Sequence, residues 1–148
     1  MLRTSVLFGA ALGMLAHVGP AAAAPDVDVR PLGIGLEEIT YPYPIHFLDL
    51  VIEGQALRMA YMDVPPAGEG NGKTAVLLHG KSFSGNYWEG TIRRLTDGGY
   101  RVIVPDQIGF GKSSKPDLRY SFDLLAANTK HLLDTMKRQL RLPAQTRS

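Results

Sequence analysis

Two stretches of this chain constrain its fold more than any others. Ala75 to Leu78 and Val102 to Val104 are unbroken apolar runs, led in by Thr74 and Arg101. A strand with one wet face alternates apolar and polar residues, whereas an unbroken run suits a strand covered on both faces. Between the two runs, Trp88, Ile92 and Leu95 fall at helical spacing within 87–96, and Asp97-Gly98-Gly99 ends that helix. Pro105-Asp106 closes the second run, and a glycine loop, Q-I-G-F-G-K-S-S-K-P, follows. Ser121 is placed to cap a second, longer helix. Phe122, Leu125, Ala126, Thr129, Leu132, Leu133, Met136 and Leu140 mark its apolar face. Strand, helix, strand, loop, helix is the rhythm of an α/β fold, a mostly parallel sheet flanked by helices.

Upstream the pattern differs. His46–Val51 and Leu57–Val64 tend to alternate around Glu53-Gly54-Gln55, which predicts an antiparallel hairpin leading into the sheet. Pro65-Pro66 ends it, and A-G-E-G-N-G-K reads as a surface loop. Residues 25–44, rich in Pro and Gly and including Tyr41-Pro42-Tyr43-Pro44, form an extended lead-in. Each Pro forces its predecessor to be extended, so this stretch reads as a strap across the surface. No internal repeat is present. The first 24 residues pair Arg3 with an apolar core, Val6 to Val18, then Gly19-Pro20 and the small residues Ala21 to Ala24. That is the build of an export signal peptide. The apolar stretch is short and rich in Gly and Ala for a membrane span, so no stable span is expected after cleavage and the protein is expected outside the cytoplasm, periplasmic or secreted.

The 148 residues suffice for one modest domain, and 45% hydrophobic with 20% charged content marks a globular chain. The net charge of +2 is uneven: residues 130–148 carry +4 and the remainder −2. A basic terminus can bind nucleic acid or a membrane, but no aromatic residue is interleaved for base stacking, so a solvated tail is the better reading and no nucleic-acid partner is expected. With no cysteine, neither a disulfide framework nor a thiolate metal site exists.

Ligands in such sheets sit beyond the carboxyl ends of the strands, which singles out the loops His79–Asn86 and Asp106–Pro116. Gly111-Lys112-Ser113 invites a phosphate-loop reading, but the G-x-x-x-x-G-K-[ST] pattern needs glycine where Asp106 stands. That carboxylate would repel phosphate, and Pro116 follows where a helix should begin. The dinucleotide pattern fails at Ser114. No window fits the nucleophile elbow G-x-S-x-G: Gly80-Lys81-Ser82 meets serine at 84, and Gly111-Lys112-Ser113 meets Lys115. His17, His46, His79 and His131 have no metal-ligand spacing. Neither a metal nor a cofactor is therefore expected. What remains is His79-Gly80-Lys81. Glycine lets a backbone turn sharply, and an amide just past such a turn can face a developing oxyanion. An ordinary strand-to-loop turn is the plainer alternative. A third reading pairs Ser82 with His79 as its base, but no acid is placed to orient that histidine.

A hydrophobic strand ending in His-Gly, a helix bearing Trp88, and then G-Y-R-V-I-V-P-D-Q-I-G-F-G-K-S-S-K-P resemble the α/β-hydrolase superfamily. The branch with epoxide hydrolases, haloalkane dehalogenases, cofactor-free haloperoxidases and C–C bond hydrolases is the nearest in character. The resemblance covers residues 45–136. It implies that the Lys81 N–H forms half of an oxyanion hole. It also implies that His79, Gly80, Ser82 and Phe110 border the pocket, and that Asp106, Gly109, Gly111 and Ser113 belong to a mostly architectural loop. The family order of nucleophile, acid and histidine places all three beyond the helix that starts at Ser121. Here the family pattern is lost near Lys137, leaving 137–148 as a basic tail, as a frameshift or premature stop would produce. The expectation is thus the N-terminal portion of a hydrolase of esters or related bonds acting on a small molecule. Such a chain lacks the triad, is inactive by itself, and is open to self-association through a bare sheet edge. The rival is a non-enzymatic exported binding or scaffold fragment.

If the first 24 residues are an export signal, N-terminal sequencing of the exported protein will begin at Ala24 or Pro25. An intact Met1 on the exported chain would contradict the assignment.

Overall fold

The computed structural model describes residues 31–141, with side chains to residue 138. The stretch read as a signal peptide and residues 142–148 of the basic tail lie outside the described residues. Four strands and two helices form one βαβ-containing sheet. β1 (Ile45–Ile52) and β2 (Gln55–Val64) pair antiparallel, Ile52 facing Gln55 across a two-residue turn. β3 (Thr74–Val76) leads through a short 3₁₀ turn, Gly85–Trp88, into α1 (Glu89–Asp97), then β4 (Arg101–Pro105). α2 (Phe122–Arg141) closes the order. The spatial order is β1-β2-β4-β3. β4 pairs antiparallel with β2 and parallel with β3, so the described sheet is mixed, with one parallel pair among three.

Side-chain alternation along the central strands divides the core. Leu57 and Met59 of β2 and Ile103 of β4 point to one face, where they meet Leu132 and Met136 of α2. Met62, Val64, Val102 and Val104 point to the other, where they meet Ile92 of α1, with Tyr41, Tyr43 and Trp88 packed around them. Seven of these side chains, among them Met59, Met62 and Ile103, are essentially inaccessible to solvent. Burying each is worth roughly 1.5–3 kcal/mol. Arg101 and Asp63 tie β4 to β2 by a paired contact, Nε to Oδ1 at 2.7 Å and Nη2 to Oδ2 at 2.5 Å.

Ser121 caps α2 as expected, its Oγ accepting from the Leu124 N–H at 3.1 Å. The buried line of that helix differs from the apolar face read from sequence. Leu124, Asn128, Leu132 and Met136 turn inward, whereas Phe122 is 91% exposed and Ala126 is exposed. In the first turn of α2, Leu124 packs against the core while Phe122 is left largely uncovered by the described residues. β3 departs further. The run read as a strand over Thr74–Leu78 is a strand for three residues only, and it lies at the bare sheet edge expected of this chain, with Ala75, Val76 and Leu77 only partly buried and Leu78 half exposed. Among the described residues nothing pairs with its outer side. Unpaired N–H and C=O groups beside apolar side chains recruit other strands. Size-exclusion chromatography of the chain should accordingly show species larger than a monomer, and a sharp monomer peak with a cooperative melt would contradict that expectation.

Candidate active site

The two loops singled out above leave adjacent strands. β3 and β4 run parallel, so His79–Gly85 and Asp106–Lys115 emerge side by side. They are fastened to each other at two points by consecutive residues. The Gln107 N–H donates to Nε2 of His79 at 2.9 Å, and the Gly85 N–H donates to Oδ1 of Asp106 at 2.6 Å. Residues 80–84 are therefore a short span pinned at both ends.

His79 is used structurally on both sides of its ring. Because Nε2 accepts from Gln107, the proton sits on Nδ1, which donates to the Gly80 carbonyl at 2.9 Å. A ring so occupied has no free nitrogen to take a proton from Ser82, which weighs against the Ser82–His79 pair. The sharp turn is made two residues later than expected. The Phe83 N–H bonds to the Gly80 carbonyl at 3.2 Å, and Ser82, not Gly80, takes the left-handed conformation, with φ of 66°. A Cβ at 80 would sit 3.7 Å from Phe83, an ordinary contact. Gly80 leaves the adjacent cleft open without being required by the backbone. Lys81 is exposed at the crest of this turn, and its N–H meets no acceptor among the described residues.

Asp106 organises the second loop. It is 1% exposed, and a buried carboxylate is tolerable only with several donors. It has three: Gly85 N–H, Lys112 N–H at 2.7 Å, and the Tyr41 hydroxyl at 2.6 Å. The residues that looked like a phosphate loop thus wrap an anion that the protein itself supplies. Gly109 and Gly111 have φ of 95° and 52°, and a Cβ at 111 would overlap the Asp106 carboxylate. Glycine is needed there for both conformation and space. Ser113, buried, accepts from the Ala60 N–H at 2.8 Å and donates to the Asp106 carbonyl at 2.7 Å, pinning the loop to β2. Burial first, and the hydrogen bond to Asp106 next, hold the Tyr41 phenol well above the usual tyrosine range.

A cleft of about 460 Å³ opens beside these loops, lined by His79, Gly80, Lys81, Gln107, Phe110, Tyr120, Ser121, Phe122 and Leu125. Its walls are largely apolar. Phe110 lies 5.5 Å from the His79 ring. Ser82 lines a neighbouring cleft with Phe83, Gly109, Gly111 and Phe110. Of the residues read from sequence, His79, Gly80, Lys81 and Phe110 gather at the larger cleft, while Asp106 and Gly111 stand behind as support. Sequence reading missed Gln107, whose Nε2 donates to Thr129 Oγ1 at 2.9 Å, and Tyr41. The order P-D-Q was visible, but nothing local announces partners 22 and 65 residues away. Among the described residues no cluster of His, Cys, Asp and Glu could hold a metal ion.

Asp106→Ala would leave three donors without their acceptor, at an expected cost of about 3 kcal/mol or more, read from the shift in the urea unfolding midpoint. Asp106→Asn, which retains one acceptor oxygen, should cost less. A change below about 1 kcal/mol for the alanine variant would show that the carboxylate does not organise the loops.

Residues 74–140 match the family model described as the alpha/beta hydrolase fold. A haloalkane dehalogenase of Mycobacterium marinum is 42% identical over 79 residues, which is 53% of this chain and 26% of that protein. A putative non-heme chloroperoxidase of Synechocystis is 38% identical over 80 residues, 54% of this chain and 29% of that protein. Among solved structures, a probable hydrolytic enzyme from Pseudomonas aeruginosa PAO1 superposes with a TM-score of 0.69 at 52% identity, over 72% of this chain and 34% of that one. A haloalkane dehalogenase from Paraglaciecola agarilytica superposes with a TM-score of 0.56 at 31% identity, over 66% of this chain and 32% of that one. The chain spans between about a quarter and a third of the length of these relatives. With its mixed sheet, flanking helices and paired loops, the chain belongs to the α/β-hydrolase superfamily and carries the N-terminal part of that fold.

Proposed function

We propose that this chain supplies the oxyanion-binding loop and one pocket wall of an exported hydrolase that cleaves an ester or related bond of a small, largely apolar molecule. One observation carries the reading: the Lys81 N–H has no acceptor among the described residues, on a loop pinned at both ends, at the mouth of an apolar cleft. A fixed amide in such a place stabilises charge as it develops on an attacked carbonyl, because it needs no reorganisation during the reaction. The attack itself requires an activated nucleophile, and the 148 residues contain no G-x-S-x-G window. The nucleophile, its acid and its histidine belong to the part of the fold that follows α2. His79, Gly80 and Phe110 shape the pocket, and Asp106, Gly109 and Gly111 hold the loops. No cofactor and no nucleic-acid partner enter this scheme. The relatives' names span dehalogenation and haloperoxidation, so the reading stops at the class of bond.

A second reading, an exported scaffold or binding fragment, is favoured by the two-sided core, which gives each face of the sheet its own helix.

Assayed by itself, the chain should not turn over a chromogenic ester above the uncatalysed rate. Robust turnover abolished by Ser82→Ala would overturn this and restore the Ser82 reading. Grafted in place of the matching segment of the Pseudomonas aeruginosa enzyme, it should support whatever ester turnover that enzyme shows. Lys81→Pro, which removes the amide hydrogen, should then lower kcat by roughly 10²–10³. A Lys81→Pro graft with unchanged kcat would contradict the oxyanion role.

A further inference from the structure

The segment before β1 does more than cross the surface. Tyr41 and Tyr43 pack their rings against the Met62 and Val64 face of the core. The Lys112 Nζ donates to the Leu36 carbonyl at 2.8 Å and lies 5.3 Å from the centre of the Tyr41 ring. The Tyr41 hydroxyl then reaches Asp106 Oδ2, the oxygen that also accepts from the Lys112 N–H. The other oxygen of the same carboxylate accepts from Gly85, the far anchor of the Lys81 turn. A carboxylate is a rigid plane, so a donor that fixes one oxygen fixes the direction of the other. Strap, carboxylate and turn form one continuous chain of short, charge-assisted hydrogen bonds, which hold geometry more tightly than neutral ones.

We propose that Tyr41 is a positioning residue for the Lys81 turn, acting through Asp106, so that docking of the strap over residues 36–43 sets where the Lys81 amide points. Its catalytic meaning rests on the oxyanion role proposed above, but its physical content does not. The strap's link to the carboxylate is the Tyr41 hydroxyl. Without that hydroxyl Oδ2 keeps only the Lys112 N–H, so the carboxylate to which Gly85 bonds is held less firmly about its side-chain torsion. The far end of the turn would loosen, while the cores on both faces of the sheet would be untouched.

Amide hydrogen exchange on the whole chain tests this without any need for turnover. Tyr41→Phe keeps the ring and its packing and removes only the hydroxyl. Exchange at Gly85 and Lys112 should quicken at least tenfold, while Val102–Val104 in the central strand keep their wild-type rates. Wild-type exchange at Gly85 would overturn the proposal, as would acceleration shared equally by the central strand, which would mark a merely structural role. Should Tyr41→Phe lose the fold, Lys112→Met decides. It releases the strap at Leu36 and leaves both the hydroxyl and the Lys112 backbone N–H in place. Faster exchange at Gly85 in that variant supports control by the strap, and unchanged exchange overturns it. Failure of the oxyanion role would appear instead as an active Lys81→Pro graft with these exchange patterns intact.

Discussion

The buried carboxylate of Asp106 is the interaction on which the rest of the site depends. Three chain segments far apart in sequence meet at it: the strap through Tyr41, the loop after β3 through Gly85, and its own loop through Lys112. Taking a carboxylate out of water is costly, and hydrogen bonds to a charged group return about 1.5–3 kcal/mol each. The balance is favourable only when every partner is in place. That condition couples the segments, and it explains why glycine stands at 111, where any side chain would enter the space the carboxylate fills.

Coupling of this kind makes the turn at Gly80–Phe83 a fixed object although it is exposed. Its near end is held by the His79 ring and its far end by Gly85, and Ser82 tolerates a left-handed backbone between them. Such strain, of order 1–3 kcal/mol, persists only where the surroundings over-determine it. The result is an amide held near an apolar cleft, the arrangement an acyl-transfer site needs. The same loop geometry disposes of two sequence readings together. The amide of the G-K-S stretch is spent on Asp106, and both His79 nitrogens are spent on backbone groups.

Much of this fold was legible in the sequence because periodicity reports burial. The alternation of β2, the run at Val102–Val104, the helix with Ile92 and the Ser121 cap all appear where the residue pattern puts them. Reading failed where the outcome depends on neighbours. T-A-V-L-L has the apolar run of a strand covered on both faces, yet it is a strand for only three residues and its end emerges half exposed at the edge. Phe122 looked buried by helical phase, yet it is exposed, and Asn128 takes an inward position instead. Phase tells which residues share a face but not how far the opposing surface extends. At the site, the two loops were found by their place beyond the strands, whereas Tyr41 was not. A hydroxyl and a carboxylate 65 positions apart leave no mark on local pattern. Glycine was also misread at 80, where composition suggested the turn that Ser82 makes.

The central claim is that the loop is clamped at its ends and offers a free amide between them. Residue-resolved amide exchange on the unmodified chain measures this most directly. Gly85, Gln107 and Lys112, whose N–H groups are bonded within the clamp, should be protected by about 100-fold or more, as expected for amides that exchange only through opening. Lys81 should exchange near the rate of an unstructured peptide. Protection of Lys81 equal to that of its anchors, or an unprotected Gly85, would contradict the account.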